Sequence, residues 1–103
     1  MVLGAPVLGL AELKKEYYPS GKLHYELNCK DGKQEWGVTK GFFESGKLEG
    51  EWNYKQGKLE GVTKLYYPNG EIRYLDTYKN GQKINTKAYD EEGKLKYEHN
   101  YPE

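Results

Sequence analysis

An all-β fold is what this sequence predicts: a meander of antiparallel β-hairpin repeats forming an elongated, twisted single sheet. Three observations carry that expectation. Glycine recurs in turn-like settings, as Ser20-Gly21-Lys22, Asp31-Gly32-Lys33, Ser45-Gly46-Lys47, Gln56-Gly57-Lys58, Asn69-Gly70-Glu71, Asn80-Gly81-Gln82 and Glu92-Gly93-Lys94. Between these turns apolar and polar residues alternate with period two, the mark of a strand with one buried face. Eleven Tyr, two Trp and two Phe bring the aromatic share to 15% of an otherwise hydrophilic chain. Disordered segments are poor in such residues because they have no core to bury them in.

The turns define a repeat. Gly21 and Gly32, Gly46 and Gly57, and Gly70 and Gly81 each stand 11 residues apart, while Gly21, Gly46, Gly70 and Gly93 follow one another at 25, 24 and 23. Copies therefore run over 16–40, 41–64 and 65–87, with a partial one over 88–103. They open with Tyr17-Tyr18, Phe42-Phe43, Tyr66-Tyr67 and the lone Tyr89, and the complete ones close with Val38-Thr39-Lys40, Val62-Thr63-Lys64 and Asn85-Thr86-Lys87. Asn-Gly and Asp-Gly tolerate the positive φ angles of tight hairpins, so each glycine marks a reversal and the chain should hold about eight strands. Alternation puts Leu23, Tyr25, Leu27 and Cys29 on one face and Lys22, His24, Glu26 and Asn28 on the other. Leu48, Trp52 and Tyr54, then Ile72, Tyr74 and Tyr78, then Leu95, Tyr97 and Tyr101 continue the apolar face. A single sheet leaves that face bare, and twist, the N-terminal segment or a second copy of the chain must cover it.

Length and composition bound the rest. The 103 residues make one small domain with a thin core. Sixteen basic residues balance sixteen acidic ones, so no net field draws the chain to nucleic acid or an anionic membrane, and lipid association has no support from charge. The single Cys29 excludes an internal disulfide framework and a cysteine zinc site, and its inward phase makes it a small buried hydrophobe. A cytoplasmic home fits best, with the cell envelope or secretion as the alternative. Residues 1–15 begin with an apolar run that is too short to span a bilayer, has no basic flank and ends without a cleavage signature. We read it as a cap on the first repeat or on the bare face; a segment foreign to the domain, or the cut end of a larger protein, is the other reading.

Candidate reaction centres fail on chemistry. Gly41 to Leu48 spells most of a phosphate-binding loop, but Leu48 stands where a magnesium-binding hydroxyl belongs, and the stretch is a hairpin turn rather than a helix start. Ser20 and Ser45 occupy turn positions that favour small polar residues, and His24 and His99 lie far apart in the array. Glutamates alternate with lysines on one strand face, an arrangement suited to cross-strand ion pairs. Neither catalytic residues nor a cofactor nor a metal site is expected.

The aromatic pairs are the strongest functional feature. Neighbouring strand residues point to opposite faces, so Tyr17-Tyr18, Phe42-Phe43 and Tyr66-Tyr67 should each divide their rings between the two faces. Parity does not decide which ring faces out. Binding residues expected on these grounds are Tyr18, Trp36, Phe43, Trp52 and Tyr67.

The elements Gly46-Lys47-Leu48-Glu49-Gly50, Gly57-Lys58-Leu59-Glu60-Gly61 and Tyr66-Tyr67-Pro68-Asn69-Gly70 resemble the MORN repeat family, and more closely its bacterial variant. The likeness covers about residues 16–103, although the first copy has Tyr25 and Glu26 where the second has Gly50 and Glu51. The resemblance implies an elongated hairpin array used for binding or scaffolding, with antitoxin components among bacterial proteins of this type and membrane or protein scaffolds among eukaryotic ones. The expected role is a non-catalytic interaction module for another protein, with a homodimer through face or edge as one form. A glycan- or choline-binding module of the cell envelope is the alternative.

Overall fold

The computed structural model describes residues 11–30 and 36–102 and contains one open antiparallel sheet, with no helix among those residues. Its strands are β1 (Ala11–Tyr17), β2 (Leu23–Lys30), β3 (Trp36–Phe42), β4 (Leu48–Lys55), β5 (Lys58–Leu59), β6 (Gly61–Tyr66), β7 (Ile72–Lys79), β8 (Gln82–Tyr89) and β9 (Leu95–Asn100). They follow one another in sequence order across the sheet, and β5 pairs only with β4. β5 and β6 are one line of chain interrupted at Glu60-Gly61, where Gly61 takes a φ of 83°. This accounts for nine strands where turn counting predicts about eight. β1 begins at Ala11, inside the segment assigned to a cap, while residues 1–10 of that segment lie outside the described residues.

The molecule measures 57 × 37 × 16 Å, with a radius of gyration of 16.1 Å. A compact chain of this length has a radius near 13 Å. The excess follows from a single layer, neither face of which is covered by another element among the described residues.

Two kinds of reversal alternate. At 18–22, 43–47, 67–71 and 90–94 the first amide of the turn bonds the carbonyl four residues on, and the glycine amide bonds back to the first carbonyl, as in Tyr18 N–H to Lys22 O and Gly21 N–H to Tyr18 O, both 2.8 Å. Gly21, Gly46, Gly70 and Gly93 hold φ between 89° and 92°, a left-handed conformation that favours glycine. At the other ends, Gln56-Gly57 and Asn80-Gly81 form two-residue turns with both φ values positive, the geometry that matches strand twist. The reversal expected at Asp31-Gly32 lies outside the described residues.

Beside each longer turn the ladder slips by one residue, leaving His24, Glu49, Arg73 and Lys96 as bulges. A bulge breaks the alternation of side chains. His24 and Tyr25, though adjacent in sequence, stack their rings at 3.8 Å and so share a face. Leu23, Leu48, Ile72 and Leu95 are thereby moved off the face of Tyr25 and set opposite Tyr17, Phe42, Tyr66 and Tyr89. Ile72, Leu75 and Tyr89 line one shallow hollow there. Strict alternation misplaces these four aliphatic residues because it has no bulge in it.

The register sorts the remaining side chains. On one face a ladder runs Glu16, Tyr25, Gly41, Gly50, Leu65, Tyr74, Ala88, Tyr97 across the whole sheet. On the other, Lys15, Glu26, Lys40, Glu51, Lys64, Leu75, Lys87 and Glu98 stand opposite one another in turn, so charges alternate in sign except at Leu75. The first is called here the aromatic face and the second the charged face.

No side chain among the described residues is fully buried. What lies deepest is small: Thr39, Thr63, Thr86, Ala88, Gly41 and Gly50, all on the aromatic face and on or beside the strands that lead each hairpin. Rings from the trailing strands β2, β4 and β7 lie over them. A Cβ on Gly50 would come within 2.6 Å of the Trp52 ring and 2.8 Å of Leu65 Cδ2, and one on Gly41 would meet Trp52 and Tyr25 at 3.0 Å. Both glycines have ordinary φ, so the ring above, not the backbone, demands them. Gly50→Ala should therefore lower stability by about 1–3 kcal/mol through overpacking, read as a shift of the urea midpoint with unchanged slope.

Successive repeats are also stitched by phenols. Tyr18 Oη donates to the carbonyl of Phe42 at 2.7 Å, and Tyr67 Oη to that of Tyr89 at 2.8 Å, each reaching the equivalent residue of the next hairpin. Phe43 holds the same position without a hydroxyl. Phe43→Tyr should add the missing bond to the Tyr66 carbonyl and raise stability by about 0.5–1.5 kcal/mol, with Tyr67→Phe losing a similar amount in the same unfolding assay.

Candidate functional site

The middle of the aromatic face carries the most developed surface. The rings of Tyr25 and Trp52 meet edge to face, with centroids 6.2 Å apart and planes at 65°. This pair is a ridge between two hollows. One, of about 350 Å³, is bounded by Glu16, Leu27, Thr39 and Tyr54 in addition to the pair. The other, of about 420 Å³, runs toward the longer turns and is walled by Phe43, Leu65 and Tyr74, with Glu49 and Arg73 supplying charge and Tyr66 and Pro68 its rim.

The second hollow follows from one substitution within the repeat. Positions 25, 50, 74 and 97 are equivalent, and the second copy has Gly50 where the others have tyrosine. Trp52 leans back over that glycine, as its close approach shows, and opens the space beside Tyr74. The bulge row supplies polar groups along the same line. His24 is stacked between Tyr18 at 4.0 Å and Tyr25 at 3.8 Å, and the Arg73 guanidinium lies 5.4 and 5.3 Å from the ring centres of Tyr67 and Tyr74. Glu49 is followed by Gly50 where the other copies have a tyrosine, and its carboxylate reaches His24 Nε2 at 3.9 Å.

Electrostatics favour protonated phenols around the ridge. Burial, then the carboxylates of Glu49 and Glu16, push Tyr25 above the usual tyrosine range. Tyr66 is pushed up to about 12 by burial, by the hydrogen bond its hydroxyl donates to Glu51 Oε1 at 2.8 Å, and by the charge of that carboxylate. Both phenols stay protonated throughout the physiological range, and that of Tyr66 keeps its donor bond to Glu51 on the charged face.

Toward the C-terminal end the same face turns polar. The position of Trp52 is held by Leu27 in the first copy, Asp76 in the third and His99 in the fourth. Asp76 is only 5% exposed, stands opposite Thr63 and Thr86, accepts a short hydrogen bond from Thr86 Oγ1, and pairs with Lys83 Nζ at 3.5 Å. Burial pulls the Lys83 pKa down, but Asp76, with smaller contributions from Tyr78 and Tyr101, outweighs it and leaves it raised. Asp76 is therefore a satisfied buried carboxylate rather than an exposed acid. Among the described residues no three His, Cys, Asp or Glu side chains gather in a way that could hold a metal ion.

Of the residues expected from sequence, Tyr18, Phe43 and Tyr67 form one row on this face at the longer turns, and Trp52 sits at its centre. Trp36 does not join them. It pairs opposite Lys55 on the charged face and is 40% exposed. Each pair divides its rings between the two faces: Tyr17, Phe42 and Tyr66 stand on the charged face, where Tyr17 is exposed and the other two are half-buried, and Tyr18, Phe43 and Tyr67 are half-buried on the aromatic one. Tyr25, Leu65, Tyr74, Glu49 and Arg73 were not singled out from sequence. The signal that could have found them is the exchange of Tyr for Gly50 at an otherwise aromatic repeat position.

An open meander of repeated hairpins that presents one continuous side-chain face defines a repeat module. Comparison with protein families agrees: the MORN repeat variant matches over residues 13–31, 37–56, 59–80 and 84–101, and the chain belongs to that family. Each match holds one leading strand, one longer turn and one trailing strand, so the unit pairs β1 with β2, β3 with β4, β6 with β7 and β8 with β9. No curated protein and no solved structure matches the chain.

Tyr66 yields a pH test. A phenol whose folded pKa lies near 12 against an ordinary value of 10.0 favours the fold fully below pH 10 and loses that contribution as pH rises toward 12. Stability followed by urea midpoint should fall across that window, and Tyr66→Phe should flatten the fall.

Proposed function

We propose that the chain is a non-catalytic protein-binding module that engages its partner through the aromatic face, centred on the Tyr25–Trp52 ridge and the hollow above Gly50. The observation that carries this reading is the hollow itself: a concave patch of Trp, Tyr, Phe and Leu, rimmed by Glu49 and Arg73. Trp, Tyr and Arg are the residues in which binding energy concentrates at protein interfaces. Rings already pinned by cross-strand contacts lose little freedom on binding, which favours affinity. An antitoxin-like role is the finer form of the reading, in which the partner is a protein whose activity this face blocks. A cytoplasmic setting suits it, given the lone buried thiol of Cys29.

The ligand-binding alternative has less behind it. A quaternary ammonium group needs an open aromatic cage. Here the space between Tyr18 and Tyr25 is filled by His24, and that between Tyr67 and Tyr74 by Arg73.

The test compares partner capture by the native chain with capture by Trp52→Ala and Arg73→Ala on the aromatic face, and by Lys40→Ala on the charged face. Each variant is first checked for native unfolding. The aromatic-face variants should weaken a captured protein's binding at least tenfold, as centrally placed residues do, and Lys40→Ala should leave it near native. Equal binding by all of them would remove this face from the proposal, and co-expression with the captured protein would show whether the chain neutralises it.

A further inference from the structure

The two edges of the sheet are complementary. Inside the sheet every trailing strand meets the following leading strand in one register: Tyr25 with Gly41 and Glu26 with Lys40, Gly50 with Leu65 and Glu51 with Lys64, Tyr74 with Ala88 and Leu75 with Lys87. Among the described residues β9 is a trailing strand with no leading strand beyond it, and β1 a leading strand with no trailing strand before it. All six residues of β9 are exposed, and Leu13 and Tyr17 of β1 are each 59% exposed.

We infer that β9 of one molecule pairs antiparallel with β1 of a second copy, in the same register that joins trailing to leading strands within the chain, so that sheets continue head to tail. Two independent features of the sequence fit that joint. The register sets Glu98 opposite Lys15 of the next copy, which extends the alternating ladder of the charged face with the correct sign. It also sets Asn100 opposite Leu13 of the next copy. At the equivalent internal positions Asn28 Nδ2 donates to the Val38 carbonyl and Asn53 Nδ2 to the Val62 carbonyl, both at 2.6 Å. Asn100 accepts from Asn85 through Oδ1 at 2.8 Å, which leaves its amino group for the Leu13 carbonyl.

The joint is reversible rather than permanent. β1 presents Glu12, Lys14 and Glu16 to the aromatic face, where β3 presents Gly37, Thr39 and Gly41. Charged side chains on an edge strand restrain edge-to-edge pairing. Because the two edges differ, the contact is heterologous and builds open chains instead of a closed two-fold dimer.

Sedimentation velocity of the full chain over a wide concentration range, at low and high salt, tests this. Mass should rise with concentration and fall back as salt screens the ladder. Glu98→Lys and Lys15→Glu should each weaken association about fivefold to tenfold, and an equimolar mixture of the two should restore it, since each variant then offers the other an opposite charge. Lys64→Glu, the same kind of change inside the ladder, should leave association unchanged. A monomer at every concentration would overturn the inference, as would association that neither reversal weakens or that mixing does not restore. Association abolished by Trp52→Ala but indifferent to both reversals would assign it to the aromatic face instead and equally overturn it.

Discussion

The fold depends on rings of the trailing strands lying over the smallest residues of their own and neighbouring strands. A single sheet has no second layer to close its core, so the only way to hide apolar surface is within the face itself. Trailing strands carry Tyr25, Trp52 and Tyr74, and leading strands carry Gly41, Thr39, Thr63 and Ala88 beneath or beside them. The deepest residues are consequently small and the large ones are half-exposed, the reverse of a globular core. The repeat is the period at which this large-over-small apposition recurs, and the bulges at His24, Glu49 and Arg73 place a polar group at the end of each ring row. Turn geometry then fixes register, and register fixes which ring covers which glycine.

Much of this was legible in the sequence because turn chemistry is local. Gly21, Gly46, Gly70 and Gly93 take the left-handed conformation that their setting predicts, and Cys29 is buried as its phase predicts. The bulge was not legible. An extra residue at His24 changes neither the turn spacing nor the apparent alternation, yet it moves Leu23 to the other face. The same blind spot left the aromatic pairs undecided, since the slip sets Leu23 rather than a polar residue opposite Tyr17. Trp36 falls on the charged face because it shares the phase of Val38, Lys40 and Phe42 along β3. The hollow above Gly50 depends on how Trp52 leans, which no pattern of residue types records.

Departures from the repeat are where individuality enters. Equivalent positions read Leu27, Trp52, Asp76 and His99, so one line of the aromatic face passes from apolar to acidic to basic along the array. The Asp76–Lys83 pair and its threonine neighbour keep a buried charge satisfied at a point where the packing scheme calls for a ring. Removing Lys83 leaves the buried Asp76 carboxylate without its countercharge, whereas Lys83, about a third exposed, remains solvated if Asp76 is removed. A surface built on identical copies would be uniform; this one has a distinct apolar centre and a distinct polar end, so the face has a direction along the array.

Among the described residues every strand pairs with its neighbours in the chain and with nothing further away. Such an array has no closing contact that must wait for the last residue, and growth from one end toward the other meets only short loops. Excising one whole hairpin, from a leading strand through its trailing strand, would bring together two edges of the same kind that were joined before. Length in this architecture is therefore a free variable in steps of one hairpin: adding or removing a unit changes how many side-chain rows the face displays, while the rules that join one row to the next stay the same.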